Sequence, residues 1–169
     1  MLEDLAVWEV AVVVEVEAIK VRLALLDQHL VQRVCCGNLE AMDFLANHWQ
    51  PYVHEVDDIC DGERPNPRDQ LKTFARALLV YTHPFFVKNM AGLRQLALNI
   101  TTTYADAVEW EKSKDDWQRE WANHNRHCGM EMVVAVAAIC GGHEHAFAIS
   151  QEQRAICYHE HLDQKGNPC

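Results

Sequence analysis

The sequence predicts an all-α fold, a single domain of about six antiparallel helices covering residues 1–169. Only 7 glycines and 5 prolines are present, and they fall at a few places along the chain. The segments between them are about 20 to 30 residues long, which suits helices and exceeds the usual length of a strand. Apolar residues recur in these segments at three- and four-residue spacing, as on one face of a helix. Short connections then make consecutive helices antiparallel neighbours.

The first two predicted helices are separated by a glycine. Helix one covers residues 4–36, with Asp4 as its N-cap and Gly37 as its stop signal. Its Val-rich centre favours a strand locally and is the feature least typical of a helix. Helix two covers residues 38–61, and Pro51 lies inside it, so a kink or a split is expected there.

Four more helices follow from the remaining turn signals. They are predicted over residues 67–83, 87–115, 116–140 and 150–162, and Gly141 is expected to end the fifth. The residues expected to face inward on the fifth helix are Trp117, Trp121, Cys128, Met132, Val136 and Ile139.

Charge and cysteine content restrict the functional classes. Asp and Glu number 25 against 15 Lys and Arg, a net charge of −10, so the surface repels phosphate backbones and we expect no nucleic-acid partner. The most apolar segment, residues 5–26, carries several charges and is expected neither to span a membrane nor to act as a secretory signal. Seven cysteines without a C-x-x-C pair indicate reduced thiols and a cytoplasmic location.

Five carboxylates lie within residues 54–63, at the end of helix two. Acidic groups at a helix C-terminus face the negative end of the helix dipole, which costs about 0.3 to 1 kcal/mol each. A divalent cation would turn this repulsion into coordination, so the segment predicts a magnesium site.

Three of these acids, Asp57, Asp58 and Asp61, form a D-D-x-x-D motif that places its first and last carboxylates on neighbouring helical turns. On this motif the sequence resembles the class I terpenoid and isoprenoid synthases. The resemblance implies an all-helical pocket in which Mg²⁺ bound by the motif holds and ionises an allylic diphosphate. Arg64 and Arg68, just downstream, are similar in kind to the residues that bind diphosphate in that family.

The family also uses a second metal motif on another helix. One common form of this motif has Asn or Asp, then Ser or Thr four residues later, then Glu after four more. Asn99 and Thr103 match the first two positions, but Ala107 stands at the third and cannot bind a metal. The alternative is the acidic pair Glu111 and Asp115, which continues the apolar stripe of helix four and is expected at the same end of the bundle as the first motif. Arg119 is the third candidate for binding diphosphate. An aromatic wall for the hydrocarbon would come from Trp49, Tyr52, Tyr81, Phe85, Phe86, Tyr104, Trp110, Trp117 and Trp121.

Other interpretations remain open. The acidic helix end is also typical of a solvated surface, and aromatic residues at helical spacing are typical of an ordinary core. A non-enzymatic interaction or regulatory protein, with helix one as the partner surface of a homodimer, is the main alternative function. A magnesium-dependent nucleotide pyrophosphohydrolase is a third, with one half-motif in Glu55-x-x-Asp58.

Histidine and cysteine chemistry is less strongly indicated. Two His-Glu-His triplets occur at residues 143–145 and 159–161, but positions i and i+2 of a helix diverge by about 200° and do not share one ion. His159 is expected to be a hydrogen-bonded core histidine, and Cys140 a buried thiol at a helix end.

Overall fold

The computed structural model describes residues 28–165, with side chains described for residues 29–155. This part of the chain is all-α and contains no strand, which confirms the predicted fold class. Its α-helices are α1 Gln28–Val34, α2 Leu39–Asp43, α3 Gln50–Cys60, α4 Pro67–Thr82, α5 Pro84–Lys88, α6 Met90–Trp110, α7 Asp116–Asn125 and α8 Met130–Lys165. A π-helical turn, Phe44–Trp49, joins α2 to α3, and a 3₁₀ turn, Arg126–Gly129, joins α7 to α8.

The end of helix one lies where the sequence predicts it. Cys36 and Gly37 both have positive φ, at 48° and 79°, a backbone conformation that ends a helix and that glycine adopts without strain. Asn38 then caps α2, and its side chain accepts a hydrogen bond from the Ala41 N–H. The earlier part of helix one, with its N-cap Asp4 and Val-rich centre, lies outside the described residues.

The irregularity predicted at Pro51 is a widened helical turn. The Gln50 N–H bonds to the Leu45 carbonyl, five residues back, as in a π-helix. Proline has no N–H and its ring clashes with the carbonyl four residues earlier, so a regular α-helical turn cannot pass through this point. The backbone is therefore widened over residues 44–49, with a hydrogen bond that reaches five residues back instead of four.

The predicted start of helix four is wrong. The prediction placed one helix over residues 87–115, whereas the chain forms the short α5 and then α6, with Asn89 between them in a non-helical conformation. Helix α4 agrees with the prediction at both ends: Asn66 caps its first turn, and it ends at Thr82, before Pro84.

The fifth predicted helix is also divided. It comprises α7, the 3₁₀ turn and the first part of α8, and the helical geometry breaks at Gly142 rather than ending at Gly141. Gly142 has φ 82° and ψ −179°, which only glycine adopts readily. The helix that follows this break starts at residue 143, before the predicted start at Ser150, and includes the predicted residues 150–162. The side chain of His159 lies outside the described part.

The hydrophobic core runs through α1, the α2 to π-turn segment, α5, α6 and α8, and its largest fully buried side chains include Phe44, Phe85, Leu45, Leu93 and Met132. The prediction that Trp117, Trp121 and Ile139 face inward is wrong, since they are 55%, 55% and 44% exposed. The 3₁₀ turn at residues 126–129 separates α7 from α8, so Trp117 and Trp121 do not continue the buried face of α8. Ile139 lies on α8 itself, beside the face that buries Met132 and Val136.

One helical stretch is long and apolar enough to cross a bilayer. It covers residues 116–155, has a window of mean hydropathy 1.5, and 28% of that window is buried. A core helix gives the same result, so a single such stretch is weak support for a membrane span. The expected cytoplasmic location remains a prediction.

Candidate functional site

Three of the five predicted metal ligands converge, and they converge on an arginine. Arg126 Nη1 lies 2.7 Å from Asp57 Oδ1, and its Nη2 lies 2.6 Å from Asp61 Oδ1 and 2.8 Å from Glu111 Oε2. The Tyr104 hydroxyl donates to Asp57 and accepts from Arg126. We call these five residues the Arg126 cluster.

Helix ends bring this cluster together. Asp57 and Asp61 lie one turn apart at the end of α3, Glu111 directly follows α6, and Arg126 begins the 3₁₀ turn after α7. The prediction that the ends of helices two and four meet is therefore correct, although α6 ends before Glu111. The acidic residues at the end of α3 interact unfavourably with the negative end of the helix dipole, and the positive charge of Arg126 offsets this cost.

The Arg126 cluster is half-open to solvent. The side chain of Arg126 is 16% exposed, and its three carboxylate partners are 38% to 44% exposed. Hydrogen bonds to Glu111 and then to Asp61 raise the pKa of Arg126 against the opposing effect of burial, so the guanidinium stays charged. Burial, followed by the hydrogen bond with Asp57, raises the pKa of Tyr104. Three negative charges against one positive leave the cluster with a formal charge of −2.

The remaining acids of the segment form a second ion-pair network. Asp58 Oδ2 lies 2.7 Å from Arg64 Nε. Glu55, which is buried, lies 3.0 Å from Arg76 Nε and accepts a hydrogen bond from Thr73 at 3.2 Å. A buried carboxylate must be paired to be tolerated, so this network fixes α4 against α3.

Two predicted diphosphate ligands and one predicted metal ligand lie apart from these networks. Asp115 is exposed and precedes α7 as its N-terminal flanking residue. Arg119 binds Asp116 and the Ser113 carbonyl of its own segment, and Arg68 is exposed in the first turn of α4. Of the predicted diphosphate-binding set, only Arg64 contacts the acids of the D-D-x-x-D motif, through Asp58.

A group that the sequence patterns do not reveal lies at the other end of the α2 to α3 segment. Asp43, His48 and His83 each offer one ligand atom, and the three atoms lie within 4.8 Å of one another. His83 Nε2 lies 3.0 Å from Asp43 Oδ2, and His48 Nε2 lies 3.7 Å from the same oxygen. The two imidazole rings have centroids 4.7 Å apart. We call these residues the His48/His83 group.

The π-helical turn is what assembles this group. Asp43 and His48 are five residues apart, a spacing that places side chains on different faces of an α-helix but on one face of a π-helix. His83 lies between α4 and α5, where it caps α5 by accepting the Phe85 N–H at Nδ1. No regular helical pattern links positions 43, 48 and 83, and so sequence spacing gave no signal.

Local contacts set the charge of the group. Hydrogen bonds from Asn47 and then His83 hold the pKa of Asp43 below its usual value. Burial, followed by the electrostatic effect of the neighbouring His83, lowers the pKa of His48. The carboxylate is therefore ionised, and the neutral form of the His48 imidazole is favoured.

The first histidine triplet does not form a shared site with its two imidazoles. His143 is exposed, while His145 Nε2 lies 3.2 Å from the Val34 carbonyl. This contact connects the part of α8 that follows the break at Gly142 to the end of α1.

No known protein family, curated protein or solved structure matches the chain.

Proposed function

We propose that this chain is a non-enzymatic helical interaction protein that associates with a second copy of itself through the outer face of α4. The observation that supports this function is a stripe of large apolar side chains on that helix. Leu71, Phe74 and Leu78 are 68%, 64% and 53% exposed, and we call them the α4 stripe. Their spacing of three and four residues puts them on one face, as in the seam between two packed helices.

The charge of α4 is compatible with self-association at this face. The whole chain carries −10, so two copies repel each other at most orientations. Helix α4 is less acidic than the chain as a whole, because Lys72 pairs with its single acid, Asp69, and Arg76 pairs with the buried Glu55 of α3. A two-fold axis through the α4 stripe would bury identical apolar surfaces against one another at a place where α4 has no excess of acidic residues.

Light scattering coupled to gel filtration tests this proposal directly. The chain of residues 1–169 is expected to have twice the 19.4 kDa mass of one copy, and Phe74→Glu or Leu78→Glu is expected to give a monomer with unchanged helical circular dichroism. Leu39→Glu is the matched control, because Leu39 is 77% exposed but lies alone on α2. A wild-type monomer at all concentrations, or a dimer that survives both stripe variants, contradicts the proposal.

A second candidate function is the magnesium-dependent binding of a diphosphate compound, as the resemblance to the class I synthases implies. It is supported by the convergence of Asp57, Asp61 and Glu111 and by the formal charge of −2 that remains after pairing with Arg126. In this function Mg²⁺ would take the place of the guanidinium between the carboxylates, and Arg126 would turn to the diphosphate. The metal would neutralise the leaving group during ionisation.

Thermal unfolding with magnesium and inorganic diphosphate tests the second candidate. Binding at about 100 times the dissociation constant adds ~2.7 kcal/mol to the free energy of unfolding. This gain should appear in the wild type and disappear in Asp57→Ala, while Glu131→Ala, in a separate ion pair with Arg154, should retain it. Absence of any shift in the wild type would contradict this second candidate function.

A further inference from the structure

We propose that Asp43, His48 and His83 bind one divalent transition-metal ion of the zinc, cobalt and iron class. Two imidazoles and one carboxylate on one side of an ion are a donor set that such ions prefer and that magnesium does not. This site is separate from the α4 stripe and from the Arg126 cluster.

The first support for this site is the geometry of its three donors. Their ligand atoms lie within 4.8 Å of one another, so an ion at the centre reaches all three after small side-chain movements. His83 is buried and His48 is half-buried, whereas half of the Asp43 side chain is exposed. The ion would therefore be held by protein on the inner side and keep an open position toward solvent for water or another small ligand.

The second support is the backbone that places the donors. A π-helical turn is rare, and here it brings Asp43 and His48 together on one face. Pro51 accounts for an irregularity in this helix, but the turn also aims both side chains at His83, which comes from a connection 35 residues further on. The site thus joins two segments that meet only through tertiary packing.

The third support is an orienting contact on the carboxylate. Asn47 Nδ2 donates to Asp43 Oδ1 at 2.8 Å, which leaves Oδ2 directed at the two imidazoles. Hydrogen bonds of this kind to a ligand's second oxygen are typical around protein-bound metals. Asn47 is accordingly a positioning residue of the site.

Metal binding must rearrange one proton. His83 Nδ1 accepts the Phe85 N–H, so the neutral ring carries its proton on Nε2 and donates it to Asp43. To bind a metal at Nε2, the neutral ring moves that proton to Nδ1 and gives up the Phe85 hydrogen bond. Binding is therefore expected to weaken at low pH, because protons compete for the same nitrogen lone pairs.

Cobalt is the probe of choice, because Co²⁺ bound by histidine and carboxylate absorbs visible light and Zn²⁺ does not. Titration of the full chain with Co²⁺ is expected to give one set of visible bands, which one equivalent of Zn²⁺ removes and excess Mg²⁺ does not. His48→Gln and Asp43→Asn should each weaken Co²⁺ binding by about tenfold or more, and Asn47→Ala by about tenfold. His54→Gln is the matched control, because His54 is exposed on α3 outside the group.

His83→Gln also removes the cap of α5, so the conclusion rests on His48→Gln and Asp43→Asn, with circular dichroism to verify their fold. Bands that persist unchanged in both variants would place the ion on other histidines or cysteines and overturn the proposal. Absence of visible bands in the wild type would overturn it as well, and would leave the three residues as a hydrogen-bonded helix junction.

Discussion

Arg126 lies against the ring of Tyr104, with its Cζ 5.1 Å from the ring centroid, and donates a hydrogen bond to the hydroxyl of the same residue. The guanidinium is thus held by an aromatic ring on one side and by carboxylates of α3 and of the segment after α6 on the other. A planar cation that contacts four partners at once fixes the ends of three helical segments relative to one another.

Replacing Arg126 by methionine is expected to lower the free energy of unfolding by about 2 kcal/mol, because three carboxylates lose their shared partner. Urea unfolding monitored by circular dichroism measures this loss. Arg126→Lys should recover only part of it, since an ammonium cannot bind several carboxylates in a plane. Arg154→Met, which breaks a single exposed pair with Glu131, should cost less than about 1 kcal/mol. Equal losses in the two methionine variants would show that the Arg126 cluster contributes no more than a surface ion pair.

Removing the Tyr104 hydroxyl tests the aromatic side of the same cluster. Tyr104→Phe keeps the ring beneath Arg126 but deletes the donor to Asp57, and we expect a loss of about 1 kcal/mol. Thermal unfolding of the single variants and of the double variant with Arg126→Met gives the coupling energy between the two residues. Strictly additive effects would mean that the two side chains do not act together.

Replacing either of two glycines by alanine should change the stability of the protein, and the two changes should have opposite signs. Gly142 has φ 82°, a conformation that costs alanine about 1 kcal/mol or more, so Gly142→Ala is expected to destabilise the protein. Gly92 lies in α6 with open space around an added methyl group, and Gly92→Ala should stabilise by about 0.5 to 1 kcal/mol. The midpoints of urea unfolding of the two variants measure these changes. A shift of both midpoints in the same direction would contradict this assignment of backbone strain.

The adjacent thiols of Cys35 and Cys36 should differ in reactivity. Burial, with a smaller effect of Cys140, raises the pKa of Cys35 to about 12, while Cys36 is exposed. At pH 8 iodoacetamide is expected to modify Cys36 well before Cys35, because the thiolate is the reactive form. Peptide mapping by mass spectrometry follows both positions, and in urea the difference should disappear. Comparable native rates would contradict the burial of Cys35.

The raised pKa of Cys35 also implies a pH dependence of stability. An unfolded cysteine has a pKa of about 8.5, so between that value and about 12 the folded state retains a proton that the unfolded state has lost. The contribution of this thiol to stability is therefore complete below pH 8.5 and declines as the pH rises toward 12. Cys35→Ala should reduce the slope of stability against pH in this range.

The sequence predicted the helical class and the meeting of the acidic ends of helices two and four, because acidic residues at helix ends and apolar spacing are local signals. Of the five metal ligands that it predicted, Asp57, Asp61 and Glu111 converge, whereas Asp58 and Asp115 do not. It could not predict which cation neutralises them. Arg126 is 65 residues beyond Asp61 and lies in a 3₁₀ turn, so its direction depends on how α7 packs on α6. The positive charge that was expected from a metal ion comes instead from the guanidinium of Arg126, which pairs with all three carboxylates.

The His48/His83 group illustrates a different limit. Periodicity analysis assumes 3.6 residues per turn, and the widened turn before Pro51 breaks that assumption for Asp43 and His48. His83 reaches them only after α4 has folded back along α3. Proline inside a predicted helix was the one sequence signal at this place, and it indicated an irregularity without indicating its form.

The left-handed conformation of Gly142 has a consequence for how the last helix unravels. Fraying that starts at the far end of α8 proceeds turn by turn, and a break in helical geometry stops it, because the helix on the other side of the break is a separate nucleation unit. Residues 130–141 can thus keep their amide hydrogens protected from exchange while the turns beyond Gly142 open. Hydrogen exchange along α8 should accordingly show a step at this glycine rather than a smooth gradient.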